Sequence, residues 1–177
     1  MSEPQRAPLQ GEHVLLRHPT IEDSTAFLAF VRDNRRYHRP WVYPPADADA
    51  FARFVQRSCG RHDRAFLVIE RASDDIAGVV DVSEIVRGAL QSGFIGYYGA
   101  ARVAGQGYMG DAVRLVVRHA FEILDLHRLE ANIQPDNAAS IRLVEHCGFR
   151  KEGLSPRYLR IGGCWCDHER WAILADD

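Results

Sequence analysis

A strand, a glycine-bearing turn, a long helix and a second strand follow one another without a break between residues 93 and 133. This run constrains the fold more than any other part of the chain. Gly93-Phe94-Ile95-Gly96-Tyr97-Tyr98-Gly99 reads as an aromatic-rich strand, and Arg102-Val103-Ala104-Gly105-Gln106-Gly107 follows it as a loop. From Tyr108 to Leu124, the apolar residues Val113, Val116, Val117, Ala120, Phe121 and Leu124 recur at helical spacing, with Arg114, Arg118 and Glu122 on the other side. His127 to Ile133 alternates as a second strand. A strand–helix–strand crossover makes its two strands parallel. At the start of such a helix, backbone N–H groups point outward at an anion, and glycine lets the main chain approach it because no Cβ intervenes. The residues lead to the expectation that this turn holds a pyrophosphate; an ordinary tight turn is the plain alternative.

The segments before that unit read as a β-meander with two helices inserted after its first strand. Residues 12–18 form the first strand, and Thr20 with Asp23 caps a helix that buries Phe27, Leu28, Phe30 and Val31. Asn34-Arg35-Arg36-Tyr37-His38-Arg39-Pro40-Trp41 is cationic and aromatic together, and reads as a loop at the mouth of a substrate cleft. The same residue types can grip nucleic acid, and a solvated loop with Trp41 packed on the core is the simplest reading. A second short helix carries Phe51, Phe54 and Val55, and strands follow at 65–70, 76–82 and 91–99. After the crossover, Pro135 ends the strand, and Asp136 or Asn137 caps a helix that turns Ile141, Leu143 and Val144 to the core and stops at Gly148. Tyr158 to Ile161, the Gly162-Gly163 turn and Trp165 to Leu174 form a last hairpin.

Composition narrows the classes. At 177 residues, 46% apolar and 26% charged, the chain is expected to form a single domain over 1–177. A net charge of −2 provides no global basic field, so no direct nucleic-acid partner is expected. The N-terminus, with Glu3 and Arg6, has no apolar run of the secretory kind, and no stretch is apolar enough to span a bilayer. Cys59, Cys147, Cys164 and Cys166 lack disulfide-framework spacing, and the expected setting is cytoplasmic and reducing, without membrane attachment. Cys164, Cys166 and His168 alternate along one strand face, which reads as sheet packing, since structural zinc sites favour Cys-x2–4-Cys loops and a fourth ligand; no metal is expected. Cys147 sits at an apolar helix end without an adjacent base and reads as core.

Two blocks together resemble the GNAT family of acetyl-CoA-dependent N-acetyltransferases. Arg102-Val103-Ala104-Gly105-Gln106-Gly107 is similar to that family's pyrophosphate loop. Asn137-Ala138-Ala139-Ser140, Cys147-Gly148-Phe149 and Glu152-Gly153 are similar to its second signature, the helix beside the pantetheine arm. Arg39-Pro40-Trp41, Val86-Arg87-Gly88 and the tail from Gly163 to His168 resemble the branch containing ribosomal-protein-alanine N-acetyltransferases. The resemblance implies an α/β (α+β) fold: a mixed, mostly antiparallel, splayed sheet of about seven strands with helices on both faces. The strands 91–99 and 127–133 would be the parallel pair that opens into a V. Backbone amides around Arg102, Val103, Ala104, Gly105, Gln106, Gly107 and Tyr108 would hold the pyrophosphate of acetyl-CoA. The main chain of Tyr97, Tyr98 and Gly99 would pair with the pantetheine amides, and Asn137 and Ser140 would lie beside them.

The implied activity is direct acetyl transfer to a primary amine, most simply a protein N-terminal α-amine as in the ribosomal-protein-alanine type. A polyamine or aminoglycoside acetyltransferase, or a non-catalytic CoA-binding regulatory module of the same fold, are the alternatives. The chain would act as a monomer or homodimer. In many members a tyrosine seven residues after the signature asparagine protonates the leaving thiolate, and Val144 stands there in this chain. Ser140, one turn earlier, is therefore the candidate to assist thiolate departure, against the alternative of a small polar helix residue. Glu84 is the candidate base, against a solvated turn glutamate; Tyr158 and His127 are runners-up. Arg39, Trp41 and Glu84 are the expected acceptor-side residues.

Overall fold

The computed structural model of the protein describes residues 8–177; the segment with Glu3 and Arg6 lies outside the described residues. Eight strands form one sheet: β1 (Leu9–Gln10), β2 (Val14–Arg17), β3 (Arg64–Glu70), β4 (Ile76–Val86), β5 (Ser92–Gly99), β6 (Arg128–Ile133), β7 (Arg150–Ile161) and β8 (Cys164–Leu174). Their spatial order is β1-β2-β3-β4-β5-β6-β8-β7. Every neighbouring pair is antiparallel except β5 and β6. The mixed, mostly antiparallel sheet with its central parallel pair is as expected. Two differences concern its edges: the two-residue β1 adds an eighth strand, and β4 continues to Val86 rather than stopping at residue 82. β1 escapes a pattern reading because two residues carry no alternation.

Helices cover both faces. On one lie α1 (Ser24–Asp33), the single turn α2 (Arg35–His38) and α3 (Ala48–Ser58). Phe27 of α1 and Phe51 of α3, both fully buried, meet at 4.5 Å between ring centroids. On the other lie α4 (Tyr108–Glu122) and α5 (Ala138–His146). α4 buries Val113, Val116 and Ala120 completely and leaves Arg114, Arg118 and Glu122 exposed, following its apolar stripe. The middle of β3, Ala65 to Ile69, is buried on both faces, the mark of a strand between two helical layers. The α1 entry is fixed by Asp23, which accepts from the Thr20 amide at 2.7 Å and takes both Nη atoms of Arg17, at 2.8 and 2.6 Å. The segment after Asn34, read as a loop, contains the α2 turn: the amides of Tyr37 and His38 both reach the Asn34 carbonyl at 2.9 Å.

Candidate active site

The parallel pair is short, and that makes the site. β5 pairs with β6 only from Ser92 to Phe94, against Arg128 to Glu130. Beyond that point β5 continues along β4 as far as Gly99, and β6 along β8 as far as Ile133, so the two strands part at Phe94 and Glu130. A V opens there, with a free edge of β5 along one wall. Successive residues of a strand direct their main-chain groups to alternate sides. The Ala100 amide bonds the Ala77 carbonyl at 2.7 Å, so the even-numbered residues of β5 face β4 and the odd-numbered ones face the V. The Phe94–Glu130 pairing uses the Ile95 amide, so the free groups are the Ile95 carbonyl, the Tyr97 main chain and the Gly99 amide. The Tyr98 main chain is directed at β4, and the Gly99 carbonyl accepts from His38 Nε2 at 2.9 Å. The free edge thus begins two residues before the 97–99 stretch, at Ile95.

The glycine turn stands at the end of that wall. Gly105 and Gly107 take φ of +73° and +88°, a region other residues avoid, and a Cβ built on either meets no atom within 4 Å. The turn is open to solvent on the side where a ligand would lie. The amides of Val103, Ala104 and Gln106 are engaged within the turn, on the carbonyls of Ala100, Ala101 and Val103, each at 3.2 Å. The amides of Gly105 and Gly107 make no such turn bond, and intrahelical bonding in α4 starts when Asp111 reaches the Gly107 carbonyl at 2.9 Å. Tyr108, Met109 and Gly110 thus present the unspent amides of a helix N-terminus. Arg102 is not aimed at that opening: Nη1 pairs with Glu70 Oε2 at the end of β3. Gln106 Nε2 bonds the Arg102 carbonyl at 2.8 Å, and the Tyr108 hydroxyl bonds Glu70 Oε1 at 2.9 Å. These side chains brace the turn, and the main-chain amides at its opening are left unspent. The Arg102 guanidinium first, with Tyr108 and Ser73 hydroxyls, holds the Glu70 carboxyl below its ordinary range, so the brace is charged at neutral pH.

α5 forms the opposite wall. Asn137 is its N-cap, accepting from the Ser140 amide at 3.2 Å. Ser140 Oγ meets the Tyr97 hydroxyl at 2.6 Å, and that hydroxyl also donates to the Ser140 carbonyl at 3.1 Å. A β5 side chain thus crosses the V to α5 and puts two hydroxyls in one place. Val144 is fully buried, so the position where the family resemblance looks for a tyrosine belongs to the core. Burial pushes the Cys147 thiol up, with only partial relief from Arg114, so it stays protonated and serves as packing.

The remaining expected residues are spread around the sheet. Arg39 stacks on Tyr43, 4.9 Å from the ring centroid, and Trp41 is half-buried beside it. Arg32, Arg35, Arg39, His38, Leu28 and Tyr43 are among the residues lining a cavity of about 370 Å³. Tyr43 touches the β7–β8 turn: a Cβ on Gly162 would come within 2.6 Å of its Cζ, so the loop after α2 and the last hairpin meet. Glu84 lies inside β4, exposed, at φ +50°, where the β4–β5 register slips. Tyr158 lies on the edge strand β7 and packs edge-on to His168 at 6.4 Å, apart from the Tyr97–Ser140 pair. His127 is exposed at the closed end of the V and pairs with Asp176 at 3.6 Å. Among the described residues, no group of three or more His, Cys, Asp or Glu could hold a metal ion.

Two polar residues of the site escaped the sequence reading. His38 lay in a segment read for its arginines; it is buried, and burial, only partly offset by the Gly99 carbonyl, lowers its pKa, so the imidazole is neutral at pH 7. Asp81 was absorbed into an apolar strand. Burial, then the neighbouring Asp63, pushes its carboxyl up to about 7, with Arg57 opposing. An acidic residue within Val79-Val80-Asp81-Val82 was the one available signal.

Comparison with known proteins accounts for this arrangement. The family model for the acetyltransferase (GNAT) domain matches residues 13–150. A probable N-acetyltransferase of Bacillus subtilis, YjcK, is 34% identical over 177 residues, covering 96% of this chain and 98% of that protein. The crystal structure of a ribosomal-protein-S5-alanine acetyltransferase from Vibrio fischeri superposes with a TM-score of 0.86 at 26% identity, over 97% of this chain and 98% of that one. Mycobacterium smegmatis RimJ in complex with CoA-disulfide superposes with a TM-score of 0.84 at 25% identity, over 97% and 91%. No helix among the described residues is long and apolar enough to cross a membrane. With the splayed parallel pair, the open glycine turn and the capped helix on the far wall in their places, the chain belongs to the GNAT family of acetyltransferases and is an N-acetyltransferase.

Proposed function

We propose that the protein transfers acetyl from acetyl-CoA to the α-amine of a protein N-terminus, in a ternary complex and in the cytoplasm. The observation that carries the cofactor half is the free edge of β5, running from the fork at Phe94 towards a glycine turn with open space and unspent amides. A pantetheine arm is an extended chain with amide groups, and the Ile95 carbonyl, Tyr97 and the Gly99 amide are the groups left to bond it as an added strand would. Gly105, Gly107 and the first turn of α4 fit the pyrophosphate. Asn137 and Ser140 would flank the arm, and Ser140 with Tyr97 would stand at its sulfur end. When bound, acetyl-CoA supplies the activated acyl group as a thioester; the chain's residues supply position and proton management.

The acceptor half rests on the neighbours and on charge. The Vibrio fischeri structure is that of a ribosomal-protein-S5-alanine acetyltransferase. The cavity beside the site is lined by Arg32, Arg35 and Arg39, a setting that opposes a polycation such as a polyamine or aminoglycoside. An α-amine, with an ordinary pKa of about 7.7–8.0, is about half or more free base near pH 8, whereas an alkylamine near 10.4 is almost wholly protonated. The test is thiol release from acetyl-CoA with a panel of N-terminal peptides, spermidine and an aminoglycoside. Turnover with the peptides alone is the expected result. Turnover with the polyamine alone would replace the acceptor, and CoA binding without release on any amine would leave a non-catalytic module.

A further inference from the structure

Asp81 sits where an amine approaching the fork would arrive. It pairs with Gly96 across β4 and β5, and cross-strand partners share a face of the sheet. Gly96 is two residues past Phe94, the last β5 residue to pair with β6. Its missing side chain leaves the space into which the carboxylate leans: a Cβ on Gly96 would lie 3.0 Å from Asp81 Oδ1. Strands are spaced by about 4.8 Å, so a carboxylate over β5 is within one strand of anything lying along its free edge. Asp81 is half-buried, with a route to solvent.

Its surroundings are short of partners in a way that points to an occupant. Tyr98, on the same face and diagonal to Asp81, has a buried hydroxyl without a hydrogen-bond partner. His38, edge-on to Tyr98 at 5.2 Å, spends Nε2 on the Gly99 carbonyl, which can only accept, and its Nδ1 is likewise buried and unpartnered. Buried polar groups are nearly always bonded, to protein or to an ordered water or ligand. A carboxylate, a hydroxyl and an imidazole acceptor on one face of the sheet, next to the fork, form a polar recess in an otherwise apolar layer of Phe30 and Val79.

We infer that Asp81 takes the proton from the acceptor amine during acetyl transfer. This rests on the N-acetyltransferase reading above and deepens its acceptor half. The amine nitrogen bonds the thioester carbon, the carbon–sulfur bond breaks with its electron pair leaving on sulfur, and the amine proton passes to an Asp81 oxygen, directly or through one water in the recess. The proton is then released to solvent, which the half-buried residue borders. The charged and titratable groups facing Asp81 are Arg57 on α3, Asp63 in the turn before β3 and Tyr98 on β5. Asp63 also approaches the Glu84 amide, at 3.4 Å, so Glu84 belongs to the rim of the same acidic patch. Burial and Asp63 bring the carboxyl to about 7, close to an α-amine's own 7.7–8.0 and more than three units from an alkylamine's 10.4. Near-matched partners are those between which proton transfer is efficient, so this base suits an α-amine.

The experiment compares wild type, Asp81→Asn and Asp81→Glu, each with acetyl-CoA and the peptide, across pH 5.5–9. Loss of a general base costs on the order of 10²–10⁴ in kcat/KM. Asp81→Asn should show such a loss with the KM for acetyl-CoA unchanged, and its acid limb near pH 7 should vanish, leaving only the amine's own titration. Asp81→Glu should keep the limb with part of the rate. Carbon-13 titration of side-chain carboxyls in the free protein should show one midpoint near 7 that is missing from Asp81→Asn. A raised carboxyl pKa means that wild type gives up stability as pH climbs from about 4 to about 7, a loss the neutral variant does not suffer. Its Tm at pH 8 should therefore equal or exceed wild type's, and lost activity would not be lost folding. Asp81→Asn turning over within about threefold of wild type on an unchanged pH profile would overturn the inference. So would a carboxyl set that titrates wholly in the ordinary range. Wild-type turnover confined to a different amine would instead overturn the acceptor reading, and the same variants on that amine would still judge Asp81.

Discussion

Ser140→Ala deletes the hydroxyl that meets the Tyr97 phenol at 2.6 Å across the cleft. The geometry separates its cost to folding from its cost to turnover. The Tyr97 hydroxyl keeps the Ser140 carbonyl at 3.1 Å, so no buried donor is orphaned, and one neutral hydrogen bond contributes about 0.5–1.5 kcal/mol net. At about 2–4 °C per kcal/mol for a chain of this size, Tm should fall by roughly 1–6 °C. Turnover is a different quantity. Where the two hydroxyls face a sulfur taking up negative charge, a hydrogen bond to the charged atom contributes about 1.5–3 kcal/mol. At 1.36 kcal/mol per decade, the single-turnover rate should fall roughly ten- to 150-fold. Burial pushes the Tyr97 phenol well above its ordinary pKa, with Ser140 opposing, so it serves as a hydrogen-bond donor and not as a source of free protons. Tyr97→Phe should therefore cost a similar factor. The assay is single-turnover thiol release at saturating acetyl-CoA and peptide, over both single variants and the double. Because the two groups share one bond, the double variant should be little slower than the worse single one. An unchanged rate in Ser140→Ala, with the small Tm loss in place, would refute the assignment of the pair to the sulfur; fully additive losses would refute their acting together.

Two further outcomes follow from the walls of the sheet. Asn137→Ala removes the cap on α5 and should cost about 1 kcal/mol, seen as a Tm loss, together with a several-fold rise in the KM for acetyl-CoA; a Tm loss with KM unchanged would reduce Asn137 to a cap. Burial pushes the Asp23 carboxyl up, but the hydrogen bonds from Arg17 and Thr20 outweigh it and hold the group below its ordinary range. A lowered carboxyl pKa stabilises above the unfolded value of about 3.9 and stops doing so as pH falls through the folded one. The Tm advantage of wild type over Asp23→Asn should thus be full at pH 7 and shrink below pH 4, and an advantage independent of pH would refute the ion pair as its cause.

What the sequence made legible was the part of the site built from the main chain. Gly105 and Gly107 announce positive φ, the stripe from Val113 to Ala120 announces the helix behind them, and the alternation from 127 to 133 announces the parallel partner. Each is a local pattern with a local physical cause. The phase of the β5 edge was not legible, because which residues face β4 depends on the register with Ala77, a contact more than 20 residues away. The partner of the Arg102 side chain was not legible for the same reason: Glu70 belongs to another strand. Glu84 stood out because acidic residues near a strand end look available, whereas its bulge and exposure place it at the rim.

The fork itself explains why polar chemistry gathers on so apolar a sheet. Where β5 and β6 pair, the partners Gly93 and Leu129 are buried. Where they part, β5 loses a neighbour and must find other partners for its outward main chain. His38 satisfies one carbonyl, and a ligand strand would satisfy those of Ile95 and Tyr97. The side chains flanking the same edge divide by face: Tyr97 goes to the α5 side with Ser140, while Gly96 and Tyr98 go to the α1 side with Asp81 and His38. A thioester lying along the edge would therefore have hydroxyl donors on one face and a proton acceptor on the other. Sulfur departure needs the former and the amine the latter, so the alternation of one strand is enough to keep the two apart. An insertion that moves β5 residues by one position would exchange the faces, so inserting an alanine after Ile95 should abolish turnover more completely than losing any single side chain named here. Residual activity in that variant at the level of Asp81→Asn or Ser140→Ala would break the argument.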